Sequence, residues 1–412
     1  DMYNIILWWA ALFLRLFFRR TIVLGKENIP ANGPLIVASN HPSAFMEASV
    51  LATVMGRHIH FLVRGDVFNP KFRWLFKWTK QIPIYRQKDG ISNLRKNASS
   101  FDLTYRKLGE GNAVLIFPEA KTVWEKKLRP LQRGTAHLAF GTLPFVGHGT
   151  TLQVIPVGVN FMDPRIPGTN VLVRFGQPFE VKEGTRENRE TIEAFTEALQ
   201  QAMQPLIIQV DEVTDEKKYD VLGSVYAAMM KGRKSGEQVM ADLSRIAQYV
   251  NREKEDPFFK NILTPYLNFY REEKLDLGIY FPDLWMRSRL MVAIQTAVKL
   301  IWWLSGGWIW RLIHKIILSK MKAPTYQGPV AVGAAMVIYL LISLLLLLIT
   351  FFAGWPWWIV PTWWLLLALG KFNPAPLPLL WGMVSLAPEK RNRLKKYGKE
   401  IQEKVFQLIT SA

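Results

Sequence analysis

A chain of 412 residues is long enough for two or three domains, or for one domain joined to membrane segments. Its 52 Lys+Arg against 33 Asp+Glu leave a formal charge of +19 and select an anionic partner, while 16 Trp and 24 Phe in a half-apolar sequence favour lipid and phosphorylated substrate over nucleic acid. The absence of Cys excludes a disulfide framework, a thiol nucleophile and a thiolate metal site.

After Asp1, the run MYNIILWWAALFLRLFFRR carries its basic residues, Arg15, Arg19 and Arg20, within or after the apolar stretch and has no small-residue cleavage site. It reads as a membrane anchor over residues 1–20 and not as a removable signal. Arg15 argues against a full span, since an Arg at mid-bilayer costs roughly 2.5 kcal/mol or more. Residues 21–210 alternate short β-branched runs (PLIVAS, IHFLVR, QIPIYR, AVLIFP, LQVIPVGVNF, NVLVRF) with helical stretches. That alternation predicts an α/β domain, a mixed sheet flanked by helices, with active residues on the loops where strands end. Amphipathic spacing in EQVMADLSRIAQYVNRE predicts a helical subdomain over residues 211–290. Residues 291–328 mix Trp with Lys299, Arg311 and Lys315, a pattern of helices lying in the membrane interface. Val330 to Ala353 is uncharged and long enough to cross a hydrocarbon core of about 30 Å. After Gly354-Trp355-Pro356 a second apolar stretch runs to about Ala387, so residues 329–387 predict a transmembrane hairpin. The bases of LSKMK before it and of EKRNRLKK after it place both ends, the basic tail 388–412 and the α/β domain on the cytoplasmic side, of a bacterial inner membrane or of the endoplasmic reticulum in a eukaryote.

The chemistry begins at ASNHPSAFME, where Asn40 and His41 follow an apolar strand and Glu47 comes six residues after the His. An imidazole held by a carboxylate keeps its other nitrogen free to take a proton from an attacking hydroxyl. Pro42 suits a helix first turn with Asn40 as a cap, and a capping Asn beside a structural His explains the pair equally well on its own. Other strand ends add to it. QIPIYR places Arg86 after a strand, and LIFPEAKT places Glu119, Lys121 and Thr122 after another. Arg and Lys hold phosphate, by a planar fork and as a point charge respectively, and a carboxylate accepts hydrogen bonds from hydroxyls.

Four segments in this order resemble the four motifs of the glycerolipid acyltransferase family, which includes glycerol-3-phosphate and lysophosphatidate acyltransferases. They are Asn40-His41 with Glu47; Ile84 to Arg86; Phe117-Pro118-Glu119-Ala120; and Val154 to Val157. The run EKKLRPLQRGTAHLAF is similar to a Lys-Leu-Arg-Pro-Leu segment in members of the family, and the resemblance covers roughly residues 20–210. The C-terminal hairpin resembles the branch with membrane segments after the catalytic domain. The resemblance implies that His41 is the general base, Glu47 its orienting partner, and that Arg86, Lys121, Thr122 and Arg129 contact the acceptor phosphate while Glu119 positions hydroxyls. It implies an acyl donor (acyl-CoA or acyl carrier protein), a phosphorylated glycerol acceptor, direct transfer without an acyl-enzyme, and no cofactor or metal. Two departures stand out: Met46 occupies the usual Asp position, with the acid one residue later as Glu47, and Ala120 replaces Gly.

His58, His60 and His137 sit on patterned strand or helix positions that suit structural roles, and no His or acid spacing suggests a metal site. The bases and aromatics between residues 57 and 96 suit a surface on anionic lipid better than one on nucleic acid. Two other readings fit the same sequence. One is an acyltransferase for a lyso-amino lipid of the ornithine type; the other is a non-catalytic lipid-binding scaffold on the same fold.

Overall fold

In the computed structural model, residues 1–65, 71, 73–85, 91–182, 188–229, 234–273, 289–316, 324–369, 380 and 386–410 are described. The six predicted β-branched runs form β2 to β7 of one eight-stranded mixed sheet, to which the structure adds β1 and β8: β1 (Arg20–Leu24), β2 (Leu35–Ser39), β3 (Ile59–Arg64), β4 (Gln81–Ile84), β5 (Ala113–Ile116), β6 (Gln153–Phe161), β7 (Asn170–Phe175) and β8 (Phe179–Glu180). The order is β1-β7-β6-β2-β5-β3-β4, with β8 also paired to β6. β6 runs antiparallel to β7 and β8, and every other pairing is parallel.

All five residues of β2 are buried because both faces of the sheet are covered. Side chains alternate across a strand, so the run splits between two cores. Leu35 and Val37 join Leu115, Ile155 and Val157 beneath α1 (Met2–Phe17) and α2 (Met46–Val54). Ile36 and Ala38 join Val114 and Val154 beneath α4 (Ile91–Gly109), α5 (Gly134–Thr142) and α6 (Arg189–Met203), α3 being the short helix Arg73–Trp78. Each large aliphatic side chain removed from water in this way stabilises by about 1.5–3 kcal/mol. At the N-terminal edge of the strands Arg57 donates to the carbonyls of Pro30 (2.7 Å), Gly33 (2.8 Å) and Gly111 (3.0 Å). That fork ties together the loops entering β2 and β5 and leaves their C-terminal ends for the site.

The helical subdomain comprises α7 (Glu216–Met229), α8 (Gly236–Arg252) and α9 (Thr264–Glu272). α8 begins with the reciprocal capping box of Ser235 and Gln238. Residues 388–410, expected as a basic tail, are a helix whose Leu394, Ile401 and Val405 are buried in the subdomain core with Leu222, Val250 and Tyr266. The tail is thus a structural element.

Among the described residues the apolar region contains α10 (Arg289–Trp302), α11 (Trp308–Ile316), α12 (Pro324–Phe352) and α13 (Ile359–Ala368), and the C-terminal helix is α14 (Pro388–Thr410). Among the described residues two helical runs are long and apolar enough to cross a membrane, Leu290–Trp310 and Val330–Phe352. The first lies where interfacial helices were expected. Lys299 spoke against a span there, yet the ammonium is buried 4.2 Å from the Trp302 ring. Among the described residues the second arm of the expected hairpin contains the ten-residue α13, and the NPAPLP segment lies outside the described residues. Only 22% of each long apolar window is buried, and Leu341, Phe351 and Phe352 stand open on α12. Apolar faces of that extent mark association with a membrane. Trp9 and Phe13 of α1 contact Trp364 and Tyr339 of this bundle, so α1 joins the sheet domain to the membrane helices.

Candidate active site

Parallel strands point their C-terminal ends to one edge of the sheet, where ligands bind in open α/β folds. β2 and β5, neighbours in the sheet, deliver the two most informative loops there. After Ser39 the chain runs through Asn40, His41, Pro42 and Ser43 and enters α2 at Met46. Asn40 is not the helix cap expected of it. Its side chain donates to the carbonyl of Val159 (3.0 Å) and accepts from the Val159 N–H (2.8 Å), a match of amide to main chain that fastens the loop to β6. Ala44, at φ 38°, makes the bend that lets Glu47, on the first turn of α2, face back toward His41. A non-glycine residue held in that region is a local cost the surrounding structure must offset, as is common at functional loops.

The Glu47 carboxylate contacts His41 Nδ1 and accepts from the Ser43 N–H (3.3 Å). Its side chain is completely buried, whereas His41 keeps 17% of its side-chain surface open. A carboxylate at Nδ1 selects the tautomer in which Nε2 carries the lone pair, and the ring can then accept a proton on its open side. The imidazole lies flat on Phe117, the first residue after β5, at 3.9 Å between ring centres and 10° between planes. Phe117 therefore restricts the ring to one plane, a contact the sequence motif contains but does not announce.

Two residues on, Glu119 is buried and paired with Arg129, whose guanidinium also donates to the Lys121 carbonyl. Burial pushes the Glu119 carboxyl above the ordinary carboxylate range, against the opposing pull of Arg129 and of a hydrogen bond from the His41 main-chain N–H. That hydrogen bond joins the two loops. Ala120 stands at φ 56°, which explains why the resembled motif carries Gly at this place. Lys121 is exposed, Thr122 is half-buried beside it, and Lys121 pairs with no carboxylate among the described residues. The structure thus brings together His41, Glu47, Glu119, Lys121, Thr122 and Arg129. Arg86 lies outside the described residues, one position beyond Tyr85, which follows β4 on the same edge. His60 is on β3 and His58 immediately precedes it; His58 contacts Asn4 and Lys80, and burial first, then Lys80 and Lys107, hold the His60 imidazole down to about 4.

An apolar groove of about 150 Å³ lies between α1 and α2 and is also lined by Phe61, Val63, Thr79 and Gln81. Tyr3, Ile6, Leu7 and Ala10 line one wall, and Phe45, Ala48 and Ala52 the other.

Residues 20–160 match the protein-family model named Acyltransferase. The chain is 25% identical over 202 residues to the 1-acyl-sn-glycerol-3-phosphate acyltransferase of Bacillus subtilis (strain 168), covering 46% of this chain and 90% of that protein. It is 25% identical over 137 residues to the probable 1-acyl-sn-glycerol-3-phosphate acyltransferase of Mycoplasma pneumoniae, covering 32% and 48%. A solved structure, the 1-acyl-sn-glycerophosphate (LPA) acyltransferase PlsC from Thermotoga maritima, is similar at 20% identity with a TM-score of 0.34 over 46% of this chain and 72% of that one. The chain thus carries an Acyltransferase domain over residues 20–160 and is similar to 1-acyl-sn-glycerol-3-phosphate acyltransferases. It is an acyltransferase, and its domain occupies the sheet described above.

Proposed function

We propose that the enzyme transfers a fatty acyl group from acyl-CoA or acyl carrier protein to a hydroxyl of glycerol-3-phosphate, dihydroxyacetone phosphate or lysophosphatidate, at a membrane surface. The observation that carries this reading is the His41–Glu47 pair, buried on the Glu47 side and open on the imidazole side, with the Glu119–Arg129 pair on the neighbouring strand-end loop. His41 Nε2 removes the proton of the acceptor hydroxyl as its oxygen attacks the thioester carbonyl. Glu47 stabilises the imidazolium that results. The C–S bond then breaks and the imidazolium returns the proton to the departing thiolate, so no acyl-enzyme is formed. Lys121, Thr122 and Arg129, with Arg86, contact the acceptor phosphate, and Glu119 accepts hydrogen bonds from acceptor hydroxyls. The groove between α1 and α2 takes the first part of the acyl chain, since its wall is largely apolar and includes Phe45, which lies between His41 and Glu47 in the chain. The basic segments flanking the apolar region support a catalytic domain on the cytoplasmic face.

The test is acyl transfer by detergent-purified protein from labelled palmitoyl-CoA and palmitoyl acyl carrier protein to each phosphate acceptor and to a lyso-amino lipid, with His41→Ala in parallel. Transfer to a phosphate acceptor that is lost in His41→Ala supports the reading. Transfer to the amino lipid alone reassigns the acceptor, and equal inactivity of both proteins on every acceptor, with liposome binding intact, leaves a lipid-binding scaffold.

A further inference from the structure

The loop from Lys121 to Arg129 carries the cations assigned to the acceptor, yet it belongs to neither the sheet nor a helix. It is held from outside the family domain. The main-chain N–H of Lys126 donates to Glu216 Oε1 (2.9 Å) and its carbonyl accepts from the Val210 N–H (2.7 Å). Its ammonium, in a side chain only 6% exposed, lies 3.0 Å from Asp220 Oδ1 and donates to the Met162 carbonyl (3.2 Å). Glu216 and Asp220 are four residues apart and so share one face of α7. The Asp163–Arg165 pair, on the turn between β6 and β7, faces Asp220 from the other side. Two further clamps reach the loop: Gln209 accepts from the Leu128 N–H (3.2 Å) and Gln200 from the Leu131 N–H (3.1 Å). The chain that supplies Gln209 is itself fixed to β6, because Asn160 bonds the main chain of Leu206 and Ile208 and a Cβ at Gly158 would meet the Leu206 carbonyl at 2.1 Å.

A buried Lys–carboxylate pair is a weak source of stability, since apolar residues of similar volume usually do as well or better. What it supplies is a single arrangement: the ammonium must stay between Asp220 and Met162, and the main chain three residues before Arg129 must stay with it. We propose that the Lys126–Asp220–Glu216 cluster is a positioning device by which the helical subdomain sets the geometry of the acceptor-binding loop. This inference rests on the reading of Arg129 and Lys121 as acceptor-phosphate contacts. Lys126, Asp220 and Glu216 are positioning residues; they act through Arg129 and touch no reacting atom.

The test is steady-state kinetics on the full chain, with palmitoyl-CoA saturating and either glycerol-3-phosphate or lysophosphatidate varied, whichever the preceding assay shows to be accepted. Asp220→Asn is expected to raise the acceptor KM about 10-fold, with kcat and the palmitoyl-CoA KM held within about 2-fold, because loop geometry is lost but the base and donor sites are not. Asp220→Glu restores part of the loss. In an Arg129→Ala background the same substitution adds nothing further, as coupled residues do. A proportional fall of kcat with both KM values unchanged, or full additivity with Arg129→Ala, overturns the proposal. Where Asp220→Asn does not fold, the apolar pair Lys126→Met with Asp220→Leu keeps the core filled; an unchanged acceptor KM in that folded variant overturns it equally. Failure of the underlying reading looks different, for then Arg129→Ala by itself leaves the acceptor KM where it was, and the phosphate assignment falls together with this inference.

Discussion

Glu47→Gln separates the two things the carboxylate does. Its Oε1 contacts His41 Nδ1 and the Ser43 N–H, while Oε2 is buried with no hydrogen-bond partner among the described residues. A Gln in the same rotamer puts its carbonyl where Oε1 was and its amide where Oε2 was, so it still accepts from Nδ1–H and keeps the tautomer. It removes only the charge. The charge matters when His41 becomes an imidazolium. Two unit charges about 4 Å apart at an effective dielectric of about 20 attract by about 4 kcal/mol. Loss of that stabilisation in the transition state alone lowers kcat about 10³-fold, with both KM values unchanged. The assay is transfer from labelled palmitoyl-CoA to the accepted phosphate, at saturating concentrations, corrected for folded protein by thermal melting. Retention of more than about a tenth of kcat in a folded Glu47→Gln would refute the reasoning, since the buried carboxylate would then be structural.

Three further outcomes are expected. Glu47→Asp keeps the charge but withdraws it by one methylene from Nδ1, so kcat falls about 10²-fold, less than in Glu47→Gln; an Asp variant as slow as Gln would show that charge is not the operative property. Ala120→Gly relieves a left-handed backbone that costs a non-glycine residue about 1–2 kcal/mol, partly offset by about 0.4–1 kcal/mol of added unfolded-state freedom; because Ala120 is exposed no packing is lost, and the melting temperature rises by about 1–4 °C. Asp256, although burial opposes it, is held at about 2 by the Tyr249 hydroxyl, Lys404 on α14 and the Phe258 N–H. Its folded value lies below its unfolded value of about 3.9, so its stabilisation is complete above about pH 4 and is lost as the pH falls toward 2. Asp256→Asn is therefore destabilising at pH 7 by an amount that shrinks on acidification; a deficit independent of pH in equilibrium melts would contradict the assignment.

The strands were legible because burial on both faces writes itself into sequence. PLIVA and VIPVGV are uninterrupted apolar runs, and β2 and β6 are among the strands whose residues divide between two cores. The His41–Glu47 pair was legible for a related reason: six residues of loop and first helical turn bring them together locally, so spacing carries the information. Arg129 was assigned to the phosphate, but spacing could not show that it is paired with Glu119 and that His41 donates a main-chain hydrogen bond to the same carboxylate. The contact of the Lys299 ammonium with the Trp302 ring, 4.2 Å away, was likewise not read from the sequence.

What the sequence determined by itself was the local: which runs are buried strands, which loops carry acid, base and cation, and which helices are too apolar for water. Those follow from side-chain alternation and from contacts within a few residues of one another. Only the tertiary structure decided that Asn40 binds β6 instead of capping α2, that Phe117 holds the His41 ring, and that α14 returns to the subdomain core. The same holds for Lys126 and Asp220, 94 positions apart by their own numbers and joined at 3.0 Å. Such contacts cross between elements, and no period within a single helix or strand encodes them; they exist only once the sheet has set those elements side by side.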